Sequence, residues 1–341
     1  MGRDPDERAP SPRISIIIAA RDATPFLEPV LASIPVSRDG TIEVVVVDDC
    51  SADDTAGLAS RHGARVIRLP RAVGAAAARN AGARGAVGDV VMFTDHDCCL
   101  VEDAVNRMLA TLPMPRDKVV LGGTYSLDPY DDHRFASCLQ SLHVHYSETR
   151  LPEPDYIASH FLVMNRERFL EEGGFPESLS SLLPNGCCQD VLLCHLLRSR
   201  GYRLIMDPAL QVRHIFNFTL RHSVFNAFWK SRAWTRVSLW EGSLLRDSGS
   251  ASTEMKASAL LLAFAVGSFL VAPWIRAMAA AGPLLVLASI AASARFHAFV
   301  HRHKGPWFAL RAVGLYSLQL LAILAGALVG MVGGPILPRE R

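Results

Sequence analysis

Asp95-His96-Asp97 is the tripeptide in this sequence best suited to chemistry. Two carboxylates one residue apart can both face a divalent cation and the phosphates it neutralises. Mg2+ and Mn2+ prefer carboxylate oxygens plus substrate phosphates to an all-protein cage. The bland alternative is a capping or loop pair. A second acidic cluster runs Asp48-Asp49-Cys50-Ser51-Ala52-Asp53-Asp54-Thr55. Acids here can accept hydrogen bonds from a base N–H or ribose hydroxyls, while Ser51, Asp53 or Asp54 can equally cap a following helix. Gly74–Gly82 (GAAAARNAG) adds Arg79, on an Ala-rich helix able to approach a nucleotide.

These residues fall at the ends of predicted strands. Ile14–Ala20, Ile42–Val47, Val66–Leu69 and Asp89–Thr94 are continuous β-branched or apolar runs, the pattern of parallel strands buried on both faces. Helical spacing separates them at Pro25–Ile34, Asp53–His62 and Val73–Arg84. Alternation of this kind predicts an α/β fold with a mostly parallel central sheet. In such sheets ligands bind outside the carboxyl ends of the strands, where both acidic clusters lie.

The three segments DDCSADDT, GAAAARNAGA and GDVVMFTDHDC, in this order, resemble the nucleotide-binding half of family 2 glycosyltransferases, whose usual forms are DDGS-x-D-x-T, A-RN-x-G and F-x-D-x-D. Phe161–Gly174 resembles the strand and helix after the acceptor cleft. Gly173-Gly174-Phe175 resembles the family's GGF, and Gln189-Asp190-Val191-Leu192-Leu193 its ED-x-DL. The likeness covers roughly Ile14 to His214. It implies a GT-A fold, an inverting reaction and Mg2+ or Mn2+. By resemblance, Asp48 and Asp49 read the base and ribose, helped by Arg79 and the backbone around Ala20 and Arg21. Asp95 touches ribose or sugar, Asp97 holds the cation, Asp190 is the general base, and His214, after a strand Leu204–Pro208, stands near metal or phosphates. Three departures accompany it: Gln189 replaces an acid, Cys50 replaces the glycine of DDGS, and Asp22 stands where relatives often carry Asn or Glu. Arg236 and Trp240 do not form the QxxRW of processive synthases, which favours single-sugar transfer.

Half of the 341 residues are hydrophobic and 20% are charged, but the excess of apolar residues is concentrated after Ala257. The net charge of +2 excludes nucleic acid as a bulk partner. Seven cysteines without CxxC spacing read as reduced cytosolic thiols. Met1–Pro12 is a polar tail without an apolar run of signal-peptide length, so the membrane determinant is expected downstream. Residues 13–220 are expected to form the GT-A domain. Residues 221–252, where Phe225, Phe228, Trp229, Trp234 and Trp240 interleave with Lys230, Arg232 and Arg236, are expected to form an interfacial amphipathic helix. Residues 257–337 hold about three transmembrane helices: Ala257–Ile275, Ala277–Ala294 (spanning or re-entrant) and a third centred on Leu315–Val332. Arg295, Arg302, Lys304 and Arg311 in the loop before the third, against Arg276 alone, place that loop and the catalytic domain in the cytoplasm of a multi-pass membrane protein. The partners expected are a nucleotide-sugar donor, a lipid-linked or glycan acceptor and the membrane. The alternatives are a processive polysaccharide synthase or a non-catalytic nucleotide-sugar-binding protein. His133, His143 and His145 are expected to be ordinary histidines, not a metal site.

Overall fold

Ile14–Ala20 forms strand β1, and its run of isoleucines is fully buried because helices cover both faces of the sheet. Burying each such side chain contributes about 1.5–3 kcal/mol. The computed structural model describes residues 14–35, 41–111, 118–130, 134–151, 153–177, 188–216, 218–249 and 251–333. The N-terminal tail, His133 and the end of the third apolar stretch lie outside the described residues.

β1 pairs in parallel with β2 (Ile42–Asp48) and β4 (Val90–Asp95). The register sets Ala20 opposite Asp48 and Ala19 opposite Asp95, so both acidic clusters leave the sheet at one edge. β3 (Arg65–Arg68) continues the parallel half beside β2. Beyond β4 the pairing reverses: β7 (Leu162–Asn165) is antiparallel to β4 and to β6 (Val119–Tyr125). The eight-stranded sheet has the order β3-β2-β1-β4-β7-β6-β8-β5, with β8 at Arg203–His214 and β5 at Cys98–Leu100. It is therefore mixed, with its parallel part where the alternating pattern predicts it. Helices α1 (Thr24–Ala32), α2 (Thr55–Arg61) and α3 (Ala75–Gly85) are the crossovers. α3 lies close on the sheet because Gly82 has no side chain: a Cβ there would meet Ile17 at 2.5 Å and Val47 at 3.0 Å. α4 (Ala104–Thr111), α6 (Arg166–Glu171) and α7 (Gln189–Ser199) complete this part. β8 is longer than Leu204–Pro208; it continues to His214, which ends the strand instead of following it.

The chain divides into two compact units, one of residues 1–123, 157–180 and 189–212, the other of 124–156, 181–188 and 213–341. The second is helical: α5 (Phe135–Thr149), α8 (Leu220–Glu241), α9 (Thr253–Val271), α10 (Ala277–Ala292) and α11 (Ala294–Val332). Its core joins Leu139 and Leu142 of α5, Met255, Ala259 and Leu262 of α9, and Phe296, Val300, Leu315, Tyr316 and Leu320 of α11. α9 and α10 are tied by serines: Ser258 Oγ donates to the Ser289 carbonyl at 2.9 Å, and Ser289 Oγ returns the bond to the Ser258 carbonyl at 2.8 Å. Such bonds suit helix pairs that have no water to satisfy polar groups.

Two described helices, Thr253–Val271 and Ala294–Val332, are long and apolar enough to cross a membrane. Ala277–Ala292 is shorter, which leaves the middle stretch below spanning length. The basic segment Arg295–Arg311 is not a loop. It is the first half of α11, broken at Gly305 (φ 80°) before Pro306, where the helical hydrogen-bond ladder loses a donor. α8 runs parallel to the apolar half of α11. Ser231 Oγ donates to the Ile323 carbonyl at 2.7 Å, the Phe228 carbonyl lies against Gly326, and the Arg232 carbonyl lies against Gly330.

Candidate active site

The end of β4 and the first turns of α3 meet at an ion pair. Arg79 donates to Asp95 Oδ1 at 2.6 Å, and its guanidinium lies over the Phe175 ring at 5.5 Å. Asp95 Oδ2 has no hydrogen-bond partner among the described residues. Burial favours neutral Asp95, but Arg79, followed by His160 and His96, outweighs it and holds the carboxyl below its ordinary range. Asn80, next to Arg79, clamps the GGF loop. Its carbonyl accepts from Phe175 N–H and its amide donates to the Phe175 carbonyl, both at 2.9 Å. Gly174 has φ +71°, and a Cβ there would press on Asn80 Oδ1 at 2.5 Å.

Asp49 is nearly buried and accepts from the backbone of Val73 at 2.7 Å and Gly74 at 2.9 Å, one bond on each oxygen. It thereby sets the turn that starts α3. Asp48 accepts from Ser51 N–H at 2.9 Å. The Ala20 carbonyl accepts from Asp49 N–H at 2.8 Å, so the backbone at Ala20 is tied to the acidic loop, while Arg21 is exposed beside Asp22. Asp53 Oδ2 accepts from Thr24 N–H and Oδ1 from Thr55 N–H, both at 3.0 Å, joining the starts of α1 and α2. Asp53 thus ties the two helix starts together, while the N-cap of α2 is Asp54, whose side chain makes no capping bond.

Asp190 occupies the first turn of α7. Burial raises its pKa above its ordinary value, and the amides of Ser159 (3.2 Å) and Val191 (2.9 Å) draw it only partly back. Arg79 and His160 act electrostatically on both Asp190 and Asp95, so these carboxyls share one neighbourhood. Two neighbouring acids with opposite shifts are an arrangement that can divide acid and base roles. Sequence reasoning missed His160. It is almost buried in the 3-10 turn Ser159–Phe161 and belongs to no recognised motif. Its only signal was its place just before the strand Leu162–Asn165.

Asp97 follows Asp95 off the sheet and accepts a long contact from the Cys98 thiol at 3.7 Å. Burial, then Asp97 and Asp95, push that thiol well above its usual pKa, so it stays protonated. The hard oxygens of Asp95 and Asp97 are the donor type Mg2+ and Mn2+ select, and the open Asp95 oxygen fits that use. His214 belongs to the second unit, its ring stacked on Phe216 at 4.1 Å. His143 and His145 also lie there: His143 is edge-on to Phe296, with burial lowering its pKa to about 4, and His145 Nδ1 meets the Tyr125 carbonyl at 2.7 Å.

The sequence model of the family described as Glycosyl transferase family 2 matches residues 15–172, from β1 to the end of α6. Over those residues the chain is similar to a family 2 glycosyltransferase domain. Succinoglycan biosynthesis protein ExoO of Rhizobium meliloti is 35% identical over 101 residues, which is 29% of each chain. An uncharacterized glycosyltransferase of Haemophilus influenzae is 26% identical over 50% of this chain and 58% of that protein. The chain thus spans well under two thirds of these relatives. Among solved structures, the mannosyltransferase PcManGT of Pyrobaculum calidifontis, in complex with GDP-Man and Mn2+, superposes with a TM-score of 0.58 at 20% identity, over 94% of this chain and 87% of that one. The fold is that of the GT-A glycosyltransferases.

Within the matched residues, Cys50 takes a turn conformation that suits glycine. It adopts φ +61°, a left-handed conformation that side chains disfavour. Asp22 is also left-handed, at φ +50°; its side chain accepts from Ala52 N–H at 2.7 Å, and its own N–H donates to Ser51 Oγ at 3.0 Å. Asp190 and His214 lie beyond the matched residues, so the base assignment rests on the site itself.

Proposed function

We propose that this chain transfers one sugar from a nucleotide-sugar donor to an acceptor hydroxyl at a membrane, with inversion at the anomeric carbon. The observation that carries the reading is the pairing of a carboxyl held ionised, Asp95, with one raised by burial, Asp190, around the shared charges of Arg79 and His160. Asp48 and Asp49 stand at the β2 end where base and ribose bind, with the Ala20–Arg21 backbone beside them. Arg79 steadies Asp95 and keeps a buried Nε with no hydrogen-bond partner among the described residues, available to a donor oxygen. Asp95 and Asp97 hold Mg2+ or Mn2+. A bound cation supplies neutralisation of the charge that grows on the nucleoside diphosphate. Asp190 accepts the proton of the acceptor hydroxyl as its oxygen bonds to the anomeric carbon and the bond to the diphosphate breaks. Mn2+ and GDP-Man in the Pyrobaculum fold support donor and metal.

The apolar helices α9 and α11 anchor the chain, and Arg295, Arg302, Lys304 and Arg311 keep the first half of α11 and the catalytic domain on the cytoplasmic side. In detergent-purified protein, transfer is expected to require Mg2+ or Mn2+ and to be abolished by chelation. Asp190→Asn is expected to cut turnover by about 10²–10⁴-fold while nucleotide-sugar binding by calorimetry is kept. Full transfer by that variant sinks the base assignment.

A further inference from the structure

We infer that a groove at the start of α8 and of the apolar half of α11 binds a single-chain lipid bearing a phosphate headgroup. The groove measures about 540 Å³ and is walled by Val224 and Phe225 of α8 and Leu315 and Leu318 of α11, with Phe135 of α5 at one end. Arg221 and Arg311 flank these apolar walls.

Both guanidiniums are exposed, and among the described residues neither meets a carboxylate. Each lies instead over a ring: Arg221 over Phe225 at 5.6 Å, Arg311 over Phe135 at 4.5 Å. Three other basic groups of the same unit are neutralised: Arg150 by Asp247 at 2.8 Å, Arg295 by Glu254 at 3.2 Å, and Lys304 by Asp128. Two cations without a carboxylate partner among the described residues, bordering an apolar groove, complement an anion joined to a hydrocarbon chain. Their positions agree. Arg221 is the second residue of α8, and Arg311 is the last charge before the uncharged stretch from Ala312 to Pro338. Because α8 and α11 run parallel, the groove continues from its basic end along the uncharged half of α11. The volume suits one small ligand or one chain, not a two-chain phospholipid. That the lipid carries the sugar acceptor rests on the function proposed above; the binding itself does not.

The test uses the full-length chain in detergent, with farnesyl monophosphate, farnesol and phosphatidylglycerol as probes, binding being read by native mass spectrometry and by competition. Farnesyl monophosphate is expected to bind more tightly than farnesol and not to be displaced by equimolar phosphatidylglycerol. Arg221→Gln with Arg311→Gln is expected to weaken the phosphate by about tenfold or more and to leave farnesol unchanged. Val224→Trp, which fills the groove, is expected to weaken both, with an unchanged melting curve showing that the helices are intact. Equal binding of farnesol and farnesyl monophosphate overturns the proposal, as does full phosphate binding by the double variant or displacement by phosphatidylglycerol. Donor hydrolysis without acceptor, measured alongside, separates the two readings: if it persists while the phosphate lipid fails to bind, the groove assignment alone falls.

Discussion

Asn80 holds the peptide of Phe175 from both sides, donating to its carbonyl and accepting from its N–H at 2.9 Å, 95 residues away in sequence. Phe175 in turn carries the Arg79 guanidinium on its ring, so one residue pair fixes both the GGF loop and the cation beside Asp95. Asn80→Ala leaves a buried N–H and C=O unsatisfied and is expected to cost about 2–4 kcal/mol, read as a lower denaturation midpoint. An unchanged midpoint, with transfer intact, removes the clamp from the account of the site.

Cys50 is expected to be a stabilisable position. A left-handed side-chain residue costs about 1–2 kcal/mol, which glycine avoids, less the extra freedom glycine has in the unfolded chain. Cys50→Gly is expected to gain about 0.5–1 kcal/mol, and Cys50→Val to lose more than that, by urea titration of the purified protein. A destabilised glycine variant contradicts the strain.

Asp190 sets the acid limb of the pH profile. Transfer needs its ionised form, and its pKa is raised, so activity is expected to fall at a pH above the ordinary carboxylate value of about 4. For stability the sign is opposite. A raised acid stabilises the fold fully below its unfolded pKa and loses that contribution as pH rises through the folded value. Asp190→Asn is therefore expected to be no less stable than the parent at neutral pH while nearly inactive. Asp95, held low, contributes stability present above its unfolded pKa and lost on acidification. An acid limb at or below pH 4 in kcat/KM rules out the raised base.

Gly330 and Gly314 of α11 are expected to respond with opposite signs. A Cβ at Gly330 meets the Arg232 carbonyl oxygen at 2.7 Å and Thr235 Cβ at 3.0 Å, whereas Gly314 faces open space. Gly330→Ala is expected to cost about 1–3 kcal/mol by prising α8 from α11. Gly314→Ala is expected to gain about 0.5–1 kcal/mol through helix propensity. Thermal unfolding in one detergent compares them, and equal effects dismiss the close α8–α11 contact.

Much of this protein was legible from local pattern alone. Ile14–Ala20 was placed to the residue and β2 to within one, because a run buried on both faces needs only its own composition to be a strand. The acidic ends of β2 and β4 followed from the same runs, and the apolar helices from length and lack of charge. Tertiary structure decided what local pattern does not encode. The antiparallel β7, the grip of Asn80 on Phe175, the influence of His160 on two aspartates and the raised pKa of Asp190 all depend on residues far apart in sequence. The same holds for α11: charge counting read Arg295–Arg311 as a loop, yet it folds as helix because Phe296 and Val300 have a core to enter. Periodicity reports what a segment can bury; which partner buries it, and which carboxyl is thereby desolvated, is settled only when the chain closes on itself.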